Sequence, residues 1–160
     1  MKTKIISIMG ILVVGLALVA IGAGNEGKLS AKDKSFIDKA AKGGQMEVDW
    51  GTVAAENGKS ADVKKFGNRM VSDHAKANDE LKAIAGRQGL QLPKSTESPQ
   101  WKSDKAYMQM MVNDHEKDLA EFQEEAQNGT DPELRQFAEK TSKVVSQHLQ
   151  MAKEIESKLK

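Results

Sequence analysis

The chain of 160 residues contains no cysteine. That excludes disulfides, thiolate metal sites and cysteine nucleophiles. Aromatic residues make up 4% and prolines number three, which disfavours an all-β sandwich. Charge of neither sign dominates: Lys and Arg total 24, Asp and Glu 23. So even a balance offers no electrostatic footprint for nucleic acid, and it lacks the high net charge of a disordered chain. No Gly-rich phosphate loop follows a strand pattern, HExxH is missing, and no serine stands out on an apolar stripe for a Ser–His–Asp arrangement. Histidine is scarce as well, with only His74, His115 and His148.

One long hydrophobic run is present, at the start. MKTK is followed by an uncharged stretch from Ile5 to Ala23 that ends in small residues. A basic start, an apolar core and a Gly/Ala end describe a secretory signal over residues 1–24, with cleavage after Gly22, Ala23 or Gly24. The run is also long enough to serve as an uncleaved anchor. No second span follows, so membrane contact beyond this segment is not expected. The expected location is the periplasm or outer envelope of a bacterium, and the working domain is residues 30–160.

Apolar residues then recur at helical spacing in four blocks, predicting an all-α fold. The first runs from about Ser30 to Asn57, the second from about Ala61 to Arg87, the third from about Ser103 to Gln127. The fourth starts at Thr130-Asp131-Pro132, an N-cap followed by proline in the first turn, and continues to the end. Asn57-Gly58 and Asn128-Gly129 are helix stops inside short turns. Gly89 to Gln100, with Pro93 and Pro99, is a linker too long for a tight turn. At about 40 Å extended, it permits either a simple reversal or a crossover along the bundle.

The two short turns belong to a longer repeat. AENGKSADVKKF (Ala55 to Phe66) aligns with AQNGTDPELRQF (Ala126 to Phe137) at an offset of 71 residues. The same offset sets Lys34-Ser35-Phe36-Ile37 on Lys105-Ala106-Tyr107-Met108, and Glu47 on Asp118. Two duplicated antiparallel hairpins joined by a long linker account for this pattern.

Each histidine lies on the apolar stripe of its helix and near its midpoint. Helix centres share one level of a bundle whichever way the helices run. Glu47 of the first helix, beside Gly43-Gly44, stands near the same level. Three imidazoles and one carboxylate therefore converge on the interior, where bundle metal sites are built. Neutral imidazole with carboxylate suits copper or zinc better than iron. Met70, Met111 and Met151 lie three or four residues from the histidines and are candidate soft ligands. Asp118 and Asn78 are candidates to orient a ligating ring. Asp73 and Asp114, each about 100° round the helix from a histidine, are expected to be solvated.

The segment Met70-Val71-Ser72-Asp73-His74 with Asn78 and Leu81, the segment Tyr107…Met111-Val112-Asn113-Asp114-His115, and His148-Leu149…Ala152, together with Glu47, resemble an exported ferritin-like domain family of unknown function. The resemblance spans about residues 31–156. It implies a ferritin-like four-helix bundle with a crossover between its hairpins, in agreement with the repeat. Di-iron members of the wider group carry Glu-x-x-His on two helices. Here Val71 and Val145 stand three before His74 and His148, so a ferroxidase centre is not expected. The leading expectation is a non-enzymatic bundle that binds copper or zinc through His74, His115, His148 and Glu47. A structural or stress-protective envelope protein with a buried His–carboxylate hydrogen-bond network is the alternative, and a metal-dependent redox enzyme ranks third.

Overall fold

A computed structural model describes residues 29–96 and 98–159. The expected signal segment, residues 1–24, lies outside them. Four helices follow in order: α1 (Ala31–Asn57), α2 (Ala61–Arg87), α3 (Asp104–Asn128) and α4 (Pro132–Lys158). Their starts are chemically explicit. Ser30, Ser60, Ser103 and Asp131 each accept a backbone N–H of the first turn through their side chain, and Ser30 forms a reciprocal capping box with Asp33. Among the described residues no helix is long and apolar enough to cross a membrane.

α1 packs on α2 and α3 on α4 as antiparallel hairpins, and the hairpins meet through α1–α3 and α2–α4. Asp104, at the start of α3, accepts the backbone N–H groups of Lys59 and Ser60 in the α1–α2 turn at 2.7–3.1 Å. The start of α3 therefore lies at the end of the bundle opposite the last turn of α2. The connection between them runs the length of the bundle, about 40 Å for a 27-residue helix. It is the crossover of a ferritin-like bundle. Leu90 and Leu92 pin its first part to one apolar cluster, and Trp101 pins its last part to the other.

The reciprocal tie lies at the opposite end. Asp33 of α1 accepts the N–H of Thr130 at 2.9 Å and the Thr130 hydroxyl, in the α3–α4 turn. The 71-residue offset carries Asp33 onto Asp104 and Lys59 onto Thr130. Each hairpin thus opens with an aspartate that holds the turn of the other. Gly58 and Gly129, also equivalent, both stop their helix in an extended conformation with a bond to the carbonyl four residues back. The expectation of two like hairpins holds. The glycines are required because a Cβ would press on that carbonyl, 2.7 Å away at Gly58. Positive φ occurs only at Gly89, at the end of α2, among the described residues.

Two separate apolar clusters fill the interior. One gathers Phe36, Ile37, Leu81, Ile84, Leu134 and Phe137; the other gathers Val63, Phe66, Met70, Tyr107, Met108, Met111 and Ile155. Between them lies a polar layer containing Glu47, His74, His115 and His148. α1 and α2 approach so closely above this layer that a Cβ on Gly67 would stand 2.6 Å from the Gly51 carbonyl.

Glu125 is buried against Asp33, with neither of its oxygens reached by an N–H or hydroxyl. Burial raises its pKa to about 7, and the neighbouring Asp33 carboxylate adds to this. Burial also works against the Asp33 carboxylate, but hydrogen bonds from Thr130 and Ser30 outweigh it and hold that group well below the usual range. Glu125 therefore favours the fold while protonated, and this contribution is lost as pH rises through about 7. Glu125→Gln is expected to raise the melting temperature at pH 8 more than at pH 5. Equal offsets at both pH values would contradict this account of the bundle end.

Candidate metal centre

Each histidine arrives at the central layer from a different helix. His74 comes from α2, His115 from α3 and His148 from α4; all three are buried, with His115 and His148 at 0% exposure. Their ring centroids stand 5.8, 5.2 and 5.5 Å apart, a nearly equilateral triangle. α1 contributes Glu47, 3% exposed, while Val48 is turned partly outward. The four residues that the sequence places at one level do meet.

One nitrogen of each ring is held by a neighbour. The Nδ1–H of His115 donates to the Met111 carbonyl at 2.9 Å, and since a carbonyl only accepts, the proton must sit on Nδ1. His74 Nδ1 lies 2.9 Å from Glu47 Oε2. His148 Nε2 lies 3.0 Å from Asp73 Oδ2, a carboxylate also bound by Arg69. Burial opposes the ionised form of Asp73, but the bonds from His148 and Arg69 lower its pKa, so Asp73 is an acceptor. Burial likewise pushes all three histidines down to about 4, which makes them neutral at pH 7.

The second nitrogen of each ring is bare. His74 Nε2, His115 Nε2, His148 Nδ1 and one oxygen of Glu47, Oε1, are all buried without a hydrogen-bond partner. His115 Nε2 faces Glu47 Oε1 across 3.5 Å. One ligand atom from each histidine lies within 4.8 Å of the others. A point within about 2.8 Å of all three therefore exists, and small ring shifts would bring it to metal–imidazole distance, about 2.0–2.1 Å for zinc. Buried polar atoms are seldom left unpaired, and four of them converging without a hydrogen-bond partner describe a place for a cation. The cluster could hold a metal ion.

The other expected participants are placed differently. Asp118 hydrogen-bonds no ring; burial raises both its carboxyl and that of Glu47, Asp118 to about 8, where the neighbouring Glu47 charge adds to the rise. Asn78 bonds to no ring. Its Oδ1 sits over Gly44, where any Cβ would collide with it. Met70 and Met111 are fully buried in the apolar cluster with Phe66 and Tyr107, and the Met151 sulfur receives Arg69 at 3.5 Å. The expectation for Asp73 is corrected: the 100° step from His74 turns it toward α4, where it meets His148 and is only partly exposed. Its place before the histidine was visible in the sequence; the partner across the bundle was not.

A family model described as a domain of unknown function (DUF4142) matches residues 19–155. The chain belongs to that family. No curated protein matches it. Among solved structures, a fragment of a DUF305 protein from Deinococcus radiodurans superposes with a TM-score of 0.71 at 12% identity, over 83% of this chain and 100% of that one. The ferritin-like fold is shared with a two-domain protein from Anabaena variabilis that combines DJ-1/ThiJ/PfpI-like and ferritin-like domains. Its TM-score is 0.65 at 14% identity, over 81% of this chain and 38% of that one. A dodecameric thioferritin, the bacterioferritin-related protein from Bacteroides fragilis, gives 0.64 at 17% identity, over 79% and 86%. At these identities the likeness concerns the fold alone.

The hydrogen bonds fix the tautomers of His115 and His148, and nitrogen-15 NMR of the metal-free protein at pH 7 should read them. The expected pattern is Nδ1–H for His115 and Nε2–H for His148. A different assignment, or imidazolium at that pH, would contradict the geometry above.

Proposed function

We propose that the protein is an exported, non-enzymatic bundle of the bacterial periplasm or outer envelope that binds one copper or zinc ion in its core. His74, His115 and His148 supply nitrogen, and Glu47 Oε1 completes four-coordination. The observation that carries this reading is the set of four buried polar atoms without a hydrogen-bond partner. A self-contained hydrogen-bond network would pair those atoms with one another, and they are not paired. The absence of Glu-x-x-His and the presence of only one carboxylate facing an unpartnered ring nitrogen support a mononuclear nitrogen-rich site over a di-iron centre. Glu47 Oε2 and Asp73 orient two of the rings, and the Met111 carbonyl orients the third, so the ligands are pre-set. The basic and apolar opening of the chain supports export, with residues 1–24 removed or retained as an anchor and residues 30–160 forming the domain.

Expression with the native leader, recovery from the periplasm and elemental analysis test both parts. About one equivalent of copper or zinc per chain is expected. The His74→Ala/His148→Ala double variant should lack it, and Asp73→Ala should bind about 10- to 100-fold more weakly. Unchanged metal in the double variant, or none in either protein, would refute the ligand assignment.

A further inference from the structure

A narrow cavity of about 30 Å³ adjoins the histidine layer. A buried water needs roughly 10–15 Å³ of such space, so there is room for about two waters. Its inner wall is Glu47 and His74, both buried, and its outer wall includes Lys39 and Glu121, both substantially exposed. Between these limits it is bordered by Gly43 and Gly44 of α1 and by Asp118 of α3. The cavity therefore links solvent to the site.

Carboxyl groups outnumber cations along its otherwise uncharged and largely apolar walls. Glu121 stands at the mouth, Asp118 one turn further along α3, and Glu47 at the inner end. Glu47 Oε1 is the buried, unpartnered oxygen described above, and it belongs to a residue that lines this cavity. The single cation on these walls is Lys39, whose Nζ meets Glu121 Oε1 at 2.8 Å and bridges α1 to α3 across the mouth. Glycine keeps the wall thin. A Cβ at Gly43 would meet nothing within 4 Å, so larger side chains there can be accommodated by the fold while occupying open space.

A second groove reaches His74 from the α2–α4 side. It is lined by Arg69, Lys76 and Lys140 against Asp73 and Glu80. Cations outnumber acids in this groove and repel a metal ion, whereas carboxyl groups outnumber the one lysine along the first passage and offer the ion oxygen ligands. Charge separates the two approaches.

We propose that the passage beside Gly43-Gly44 is the route by which a divalent cation reaches the histidine site, with Glu121 as the capture group, Asp118 as the intermediate group and Lys39 as the tether that closes the mouth. This rests on the metal site proposed above. The ion leaves its hydration shell in stages as carboxylate oxygens replace water, and it ends among the imidazole nitrogens. Widening or charging the mouth changes how fast the ion arrives, and has little effect on how tightly it is finally held.

Stopped-flow mixing of the metal-free protein with Cu(II), followed by quenching of Trp50 and Trp101, measures arrival. The His74→Ala/His148→Ala variant supplies the background from ions bound elsewhere. Glu121→Gln and Gly43→Leu are expected to lower the association rate about tenfold, and Lys39→Gln to raise it severalfold. Equilibrium affinity should stay within about threefold of the parent, because none of these side chains touches the bound ion. Gly43→Leu should slow release by the same factor as uptake. Rates unchanged in all three variants, alongside normal stoichiometry, would overturn the passage and leave the site standing. A rate that responds instead to Lys76→Gln and Lys140→Gln would assign the α2–α4 groove and overturn the proposal. Failure of the parent protein to bind Cu(II) above the double-variant background would overturn site and passage together.

Discussion

Four helices meet at a layer that is polar on the inside, and the rest of the bundle is arranged around this fact. Glu47, His74, His115 and His148 sit between two apolar clusters, where unpaired polar atoms are costly. Half of the layer's hydrogen-bonding capacity is satisfied by neighbours: Glu47 on His74, the Met111 carbonyl on His115, Asp73 on His148. The other half is buried without a hydrogen-bond partner. Replacing the layer by aliphatic side chains would join the two clusters into one core. The retained polar layer is therefore a feature that stability alone does not demand, and a bound cation would supply what it lacks.

The duplication explains how such a layer is positioned, and its breakdown explains the chemistry. Asp33 and Asp104 tie each hairpin to the turn of the other, so opposite ends of the bundle are clamped by equivalent bonds. That clamp sets the register of the helix midpoints. Within the layer the symmetry is lost. Gly44 occupies the place equivalent to His115, Val145 that of His74, and Ala77 that of His148. Symmetric ligands would have yielded paired sites, as in a di-iron bundle. The asymmetric set leaves one triangle of rings and, at Gly43-Gly44, a thin wall beside it.

Much of this was legible in the chain. Periodicity and caps located the helices because Ser30, Ser60, Ser103 and Asp131 do their work within their own first turn. Inner stripes placed Glu47 and the three histidines because a residue's face follows from its own helix. Contacts between helices were less accessible. Asp73 looked solvated since only the approach of α4 brings His148 within reach. The methionines looked like ligands because they lie three or four residues from a histidine. That spacing is one helical turn, which puts Met70 and Met111 into the adjoining apolar cluster. Asp33 and Asp104 were one residue beyond the aligned Lys34 and Lys105, a signal at hand in the repeat itself.

The central claim is that three imidazoles and a carboxylate, and no sulfur, take a metal ion. X-ray absorption of the copper- or zinc-loaded protein addresses it directly. The account predicts nitrogen or oxygen neighbours at about 2.0–2.1 Å for zinc, with the outer-ring scattering of three imidazoles. A sulfur neighbour near 2.3 Å, or light-atom scattering without imidazole, would contradict it.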